Sequence, residues 1–164
     1  MPARDIAKSP GAFSAILAAP FGGFGIRADD TQIRELVFLP PGMPTRPPDS
    51  KLAEHAVAQI TSWLDDPDRP FDLPLAERGT PYQRRVWAAI TNIPRGEWRR
   101  YGSLADELNS AARAVGQACG ANPFPLIVPC HRVVAKSGLG GFAGATGGYL
   151  LDAKRWLLDF EARR

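Results

Sequence analysis

The chain has 164 residues, enough for one ordinary domain or two small ones with a real core. No stretch reaches the roughly 18 apolar residues of a membrane span and the start carries no long apolar run, so a cytoplasmic setting is expected. Two cysteines and two histidines without a C-x-x-C pair make neither a disulfide framework nor a zinc site, and no metal or cofactor is expected.

Charge is unevenly divided. Residues 1–78 hold 8 Lys and Arg against 11 Asp and Glu, a net −3, while residues 79–164 hold 12 against 6, a net +6, which together make the +3 of the chain. The second half is therefore the candidate for a polyanionic partner. The competing reading is an ordinary solvated surface.

The first part alternates as short strands do. Phe13–Leu17, Phe24–Ala28 and Glu35–Leu39 are apolar segments punctuated by Pro20, Gly22-Gly23, Asp29-Asp30 and Pro40-Pro41-Gly42, which predicts a small antiparallel meander. A helix is predicted from about Ser50 to Leu64, with Leu52, Ala56, Ile60, Trp63 and Leu64 near one stripe and His55 beside it, structural or exposed. Three prolines and alternating charges over residues 65–79 read as an extended linker, and the domain boundary is expected within it, giving domains 1–78 and 79–164.

Thr80-Pro81 is a helix start, a capping oxygen followed by proline at the first helical position. Val86, Trp87 and Ile90 supply its buried face and Pro94 stops it. A second helix is expected from Ser103 to Leu108 with Ser103 as its cap. A third runs from Ala111 to Gly120, capped by Ser110. Two short helices joined at Asn109-Ser110 make a helix-turn-helix candidate. On the third helix Val115 and Cys119 share one face, so Cys119 reads as a structural core residue. Arg113, Gly116, Gln117 and Gly120 form another face, small around one arginine, able to approach a backbone closely.

Residues 126–134 read Leu-Ile-Val-Pro-Cys-His-Arg-Val-Val. A thiol beside a potential base and a fixed cation is set up to be a thiolate, which is the nucleophilic form. The alternative is a buried structural cysteine on a core strand. Neighbouring side chains of a regular strand point to opposite faces, so Cys130 and His131 cannot cooperate directly unless the strand breaks. Pro129 favours such a break. The Cys130–His131 link is then sideways or through a water, and a third group must orient His131. Gly138 to Gly148 holds six glycines at no phosphate-loop spacing. A final helix is predicted from about Leu150 to Ala162, with Trp156, Leu157 and Phe160 facing inward and Glu161 near its end.

Several linked motifs carry a family resemblance over about residues 79–161. Pro129-Cys130-His131-Arg132 resembles the signature of the methylated-DNA–protein-cysteine methyltransferases, which repair guanine alkylated at its 6-oxygen. Tyr101-Gly102, Ala112-Arg113-Ala114-Val115-Gly116, Asn122-Pro123, Lys154-Arg155-Trp156-Leu157-Leu158 and Glu161 match the family as well. The N-terminal half is similar only in layout. The resemblance implies an α/β ribonuclease-H-like N-terminal domain and a mainly α, winged-helix-like C-terminal domain with a helix-turn-helix.

The resemblance also implies a mechanism. Cys130 attacks the alkyl carbon and keeps the alkyl group, so each molecule acts once. His131 serves as base through a water, oriented by Glu161, and Asn122 braces the active-site turn. Tyr101 hydrogen-bonds the departing guanine and crowds the 3′ phosphate. Arg113 fills the space left by the flipped nucleotide, on a helix bearing Ala112, Gly116 and Gln117 in the minor groove. Carbonyls of Cys130 and Val133 read the guanine amino group, Pro125 walls the pocket, and Lys154 lies near the active-site loop. The implied partner is double-stranded DNA bearing alkylated guanine, with 4-alkylthymine as a second substrate, no membrane, and a monomer able to assemble along DNA.

The chain departs from the family in three places, one of them the segment Ala145–Asp152, which is longer than shorter members carry. Phe142 and Ala143 stand where members often carry Tyr and Ser on the loop that closes over the base, so hydroxyl contacts to the lesion oxygen are lost. The zinc ligands of some members are missing. Two other readings compete. A non-catalytic lesion-binding protein lacks the cysteine, so Cys130 argues against it. A Cys-His thiol hydrolase leaves the arginine-bearing helix and the basic second half without a purpose.

Overall fold

The computed structural model describes residues 13–141 and 147–163. The chain divides into two compact units, the first ending at Glu77 and the second beginning at Arg78. In the first unit, strands β1 (Ala15–Ala19), β2 (Gly22–Ala28) and β3 (Ile33–Leu39) form an antiparallel meander in that order, and helix α1 (Lys51–Asp65) packs against it. Paired positions Phe24↔Phe38 and Ile26↔Leu36 bury side chains on one face. Phe13, Ile16, Val37 and Leu39 form a separate buried cluster. Gly25 is required by that cluster, because a Cβ there would sit 2.5 Å from the Phe13 ring. Ser50 caps α1 by accepting from Ala53 N at 3.1 Å, and His55 is exposed.

The proline-rich segment does more than extend. Ile33 N donates to Pro74 O at 2.7 Å and Ala76 N to Ile33 O at 2.8 Å, so the linker hydrogen-bonds along the edge of β3. That satisfies backbone groups an edge strand would leave to solvent.

The second unit opens with α2 (Pro81–Thr91), where Thr80 and Gln83 make a reciprocal capping box. Val86, Trp87 and Ile90 are its buried face, as the spacing predicts. Then come β4 (Arg99–Arg100), α3 (Tyr101–Glu107), α4 (Ala112–Gly120), a 3-10 turn (Cys130–Arg132), β5 (Val133–Val134) and α5 (Gly148–Ala162). The structure thus has mixed α/β content, a small sheet plus helices.

Three helix details differ from expectation. Helix α3 starts at Tyr101, two residues before the expected cap, and Ser103 lies inside it, accepting from Arg99 Nη2 at 2.9 Å. Helix α4 starts at Ala112 without a side-chain cap. Ser110 is instead bonded to the Tyr82 hydroxyl at 2.6 Å, so its oxygen fastens the helix-turn-helix to α2. Arg85 adds a bond to Leu108 O at 3.0 Å, and Asn109 makes the turn at φ 54°. On α5 the buried face is Leu150, Ala153, Lys154, Leu157 and Glu161. Trp156 and Phe160 are only half-buried and stack on each other with centroids 4.8 Å apart, so only Leu157 of the expected inward trio is core.

Candidate active site

Two short strands assemble the site. β4 and β5 pair in parallel, Arg99 with Val133 and Arg100 with Val134. β4 leads straight into Tyr101, and β5 follows straight on the turn carrying Cys130, so one parallel pairing draws the two together. Upstream, residues 123–128 are bends and turns and not a strand, and directly after Pro129 (φ −81°, ψ 66°) Cys130, His131 and Arg132 form a single 3-10 turn. The turn favoured by Pro129 follows it, but no strand leads up to it to be broken. Leu126 sits at φ 75°, a conformation uncommon for a branched side chain, and is held there by burial.

Asn122 is the hub of this turn. Its Nδ2 donates to Val128 O at 2.8 Å and to Cys130 Sγ at 3.2 Å, and its Oδ1 accepts from Phe124 N at 2.9 Å. Cys130 is buried. A side-chain hydrogen bond with Cys119 and burial push its thiol well above the ordinary range, against Asn122 and Lys154, which favour the thiolate. The resting group is therefore a thiol, not the preformed thiolate that the Cys-His-Arg sequence suggests. The reason is geometric: the adjacent cation, Arg132, turns away from the sulfur.

Arg132 turns toward Glu161. Its Nε donates to Oε1 at 3.0 Å and its Nη2 to Oε2 at 2.5 Å, while Nη1 donates to Ile93 O at 2.7 Å. The fork and the carboxylate are both buried. On the same carboxylate, His131 Nε2 lies 3.0 Å from Oε1. The distance is that of an ion pair, but the buried nitrogen makes no hydrogen bond.

Burial alone pushes Glu161 up, but the adjacent His131 ring and the hydrogen bonds and charge of Arg132 outweigh it and bring its pKa down to about 2. Burial lowers His131 below its ordinary 6.5, opposed by Glu161. Both shifts destabilise the fold in acid. As pH falls below 6.5 the unfolded chain protonates His131 before the folded chain does, and stability drops. The contribution of Glu161 is fully present above its ordinary 4.5 and is lost as pH falls toward 2. Urea midpoints measured from about pH 7 to about pH 5.5 should fall, and His131→Asn should flatten that window; a flat profile in the unsubstituted protein would contradict the assignment.

Lys154 is wholly buried. Its Nζ donates to Val133 O at 2.7 Å and to Gly141 O at 2.9 Å, and stands 5.7 Å from the Tyr101 ring centroid. Burial lowers its pKa to about 8. Tyr101 donates to Gly141 O at 3.3 Å, and burial pushes its phenol up, so it stays protonated. Gly140, at φ 76°, lies close against this ring: a Cβ would sit 3.1 Å from it. Val133 is buried with one carbonyl lone pair already taken, and Pro125 is buried. Phe142 and Ala143 lie outside the described residues.

Arg113 stands apart from this cluster. It is exposed on α4 with Ala112, Gln117 and Gly120. A Cβ at Gly116 would meet nothing within 4 Å, so that face of the helix is open. The structure brings together Cys130, Asn122, His131, Glu161, Tyr101 and Lys154, and leaves Arg113 and its neighbours on a separate surface.

Sequence reasoning missed the role of Arg132, which was read as a cation for the thiol and instead holds Glu161. Cys119, read as a structural core residue, is buried on α4. The available signal for Arg132 was the spacing of Lys154, Leu157 and Glu161, three and four residues apart, which puts both charged groups on the core stripe of α5.

The family model for the 6-O-methylguanine DNA methyltransferase, DNA binding domain, matches residues 81–163. A methylated-DNA–protein-cysteine methyltransferase of Mycobacterium bovis is 44% identical over 120 residues, covering 71% of this chain and 70% of that protein. The chain belongs to the methylated-DNA–protein-cysteine methyltransferase family. The crystal structure of the Mycobacterium tuberculosis O6-methylguanine methyltransferase has a TM-score of 0.74 at 34% identity, covering 91% of this chain and 92% of that one. That of Mycobacterium tuberculosis OGT in complex with DNA has a TM-score of 0.72 at 36% identity, covering 90% and 91%. The activity of this methyltransferase is DNA repair by alkyl transfer to protein cysteine.

Proposed function

We propose that Cys130 is the acceptor of this alkyl transfer and that its substrate is guanine alkylated at the 6-oxygen in duplex DNA, with 4-alkylthymine as a second lesion. The sulfur attacks the alkyl carbon, the carbon–oxygen bond breaks, and the alkyl group stays on sulfur as a thioether. Nothing removes it, so each molecule reacts once. The observation that carries this reading is the set around one buried thiol: Asn122 on Cys130 Sγ at 3.2 Å, and His131 against Glu161 at 3.0 Å one residue away.

Because the resting group is a thiol, a base must take its proton as the bond forms. His131 is neutral in the folded protein and lies in reach of a carboxylate that is ionised at any pH above about 2. It takes the proton through a water, and Glu161 steadies the resulting imidazolium. The departing guanine needs a proton or a hydrogen bond in return. Tyr101, kept as a phenol by burial, supplies it.

A lesion inside a duplex cannot reach a buried thiol, so the nucleotide flips at a cost of a few kcal/mol. The exposed Arg113 on the open face of α4 fills the gap, with Ala112, Gly116 and Gln117 against the minor groove. Pro125, Val133 and Lys154 line the pocket that receives the base. The N-terminal unit is read as ribonuclease-H-like and the second as winged-helix-like. The protein acts in the cytoplasm as a monomer.

Arg113→Ala should slow repair of a lesion in duplex DNA by at least about tenfold, the effect of some 1.4 kcal/mol, and leave reaction with a free alkylguanine base nearly unchanged. Equal losses with both substrates would remove Arg113 from flipping. The direct test of the whole reading is intact-protein mass measurement after mixing with a short duplex bearing one 6-O-methylguanine. One methyl group on Cys130, saturating at one per protein, is expected. Tight binding without a mass change would instead mean a lesion sensor.

A further inference from the structure

Trp98 is the one large apolar side chain left exposed among the described residues, with 55% of its surface open to solvent. It stands directly before β4 and has no part in the mechanism above. Side chains alternate along this segment. Arg99 turns toward α3, where its Nη1 donates to Glu107 Oε2 at 3.1 Å and its Nη2 to Ser103 Oγ at 2.9 Å. Trp98 and Arg100 share the other side, with the guanidinium carbon 6.0 Å from the indole ring centroid. Both line a groove of about 450 Å³, together with Lys136, two residues past β5, and Leu158 of α5. Charge in the groove favours an anion. Arg100 and Lys136 are exposed, and neither is paired with a carboxylate among the described residues. Of the two carboxylates in the lining, Glu161 is buried against Arg132, so only Asp159 is exposed.

We propose that this groove binds an unpaired nucleotide of single-stranded DNA, with the base stacked on Trp98 and its phosphate against Arg100 and Lys136. The consequence for repair rests on the alkyl-transfer reading; the binding itself does not. An unpaired nucleotide offers what the lining asks for: a flat face for the indole and a charged oxygen group for the two cations. The volume is that of a small-ligand site. A base inside a duplex is already stacked on its neighbours, so its face is closed to Trp98 and the groove contributes to single strands and not to paired DNA. The position fits as well. Arg100 is peptide-bonded to Tyr101, which the proposed function sets against the departing guanine, so a strand leaving that site passes the groove. The protein would then hold a lesion in a single strand by a contact that its helix-turn-helix does not supply.

The test compares the full chain with Trp98→Ala and Trp98→Phe on a short labelled single strand bearing one 6-O-methylguanine, and on the same strand annealed to its complement. Affinity is read by fluorescence anisotropy and transfer by intact-protein mass. Trp98→Ala should bind the single strand at least about fivefold more weakly, the low end of one base–aromatic stack, and should bind the duplex within about twofold of the unsubstituted protein. Trp98→Phe keeps a ring and should retain most of the affinity. Arg100→Gln and Lys136→Gln should each flatten the dependence of log affinity on log salt for the single strand by about 0.7, the share of one phosphate contact. Equal losses on single strand and duplex overturn the proposal. So does no loss on either, the result expected if the groove takes an acidic peptide instead, and so does a salt slope unchanged in both glutamine variants. A Trp98→Ala loss confined to the single strand, in a protein that transfers no methyl group from either DNA, would uphold the groove and overturn the acceptor role of Cys130.

Discussion

Cys130→Ala should abolish alkyl transfer completely while leaving DNA affinity within about threefold of the unsubstituted protein, less than 1 kcal/mol. The two effects separate because the sulfur and the proposed DNA-facing surface are different parts of the second unit. Cys130 is buried in the 3-10 turn, whereas Arg113, Ala112 and Gln117 are exposed on α4. Removing the sulfur deletes the proposed acceptor atom and leaves α4 and its ties to Tyr82, Arg85 and Trp87 intact. A serine at the same place should be equally inactive, since a hydroxyl needs far stronger activation than a thiol to become a nucleophile. Transfer is read by mass, and affinity by fluorescence anisotropy on the same lesion duplex. Residual transfer in Cys130→Ala would move the acceptor elsewhere, and Cys119 would be the first place to look. Loss of binding along with transfer would mean that the turn organises the DNA surface as well.

The sequence reads well where local chemistry decides. Alternating apolar runs between turn residues mark the meander, and Thr80-Pro81 marks the start of α2, because each depends on residues within a few positions. It reads less well where a distant partner competes. Ser110 is an ordinary capping residue by type, but the Tyr82 hydroxyl, 28 positions away, claims it. Helix α3 begins early because β4 pairs with β5 and delivers Tyr101 already at the helix start. On α5 the aromatic pair Trp156 and Phe160 looks like the core face by hydrophobicity. The true core face includes a lysine and a glutamate whose charges are compensated from elsewhere, Lys154 by two carbonyls and Glu161 by Arg132 and His131. Hydrophobicity alone passes over buried charge, since the partners that compensate it lie far away in the chain; only the spacing of Lys154 and Glu161 around Leu157 points to it.

The same lesson applies to the cation beside the thiol. Adjacency in sequence suggested that Arg132 would lower the thiol pKa. One 3-10 turn is enough to send neighbouring side chains in different directions, and Arg132 spends its donors on Glu161 and Ile93 O. Lys154 favours the thiolate and burial opposes it. In the proposed mechanism alkyl transfer therefore depends on a base acting during the reaction, which puts the weight of that mechanism on His131 and on whatever holds it.

Glu161→Ala should cost about 3–5 kcal/mol of stability, because it strands the Arg132 guanidinium in the interior without its carboxylate. Most of that loss is the penalty of an orphaned charge and not the worth of the pair. Replacing both partners, as Arg132→Met with Glu161→Leu, should therefore recover most of the stability, since apolar groups of similar volume need no compensation. Transfer should not recover. His131 in the double variant has lost the carboxylate that steadies its protonated form, and general-base assistance of this kind is typically worth about 100-fold to 10,000-fold in rate. Urea unfolding and single-turnover transfer on the same samples separate the two roles. A stable double variant that transfers methyl groups at the original rate would make Glu161 a structural partner of Arg132 alone and would leave His131 without its orienting group. A stable and slow one assigns both jobs to a single carboxylate: Arg132 fixes it in place, and the fixed carboxylate supports the base.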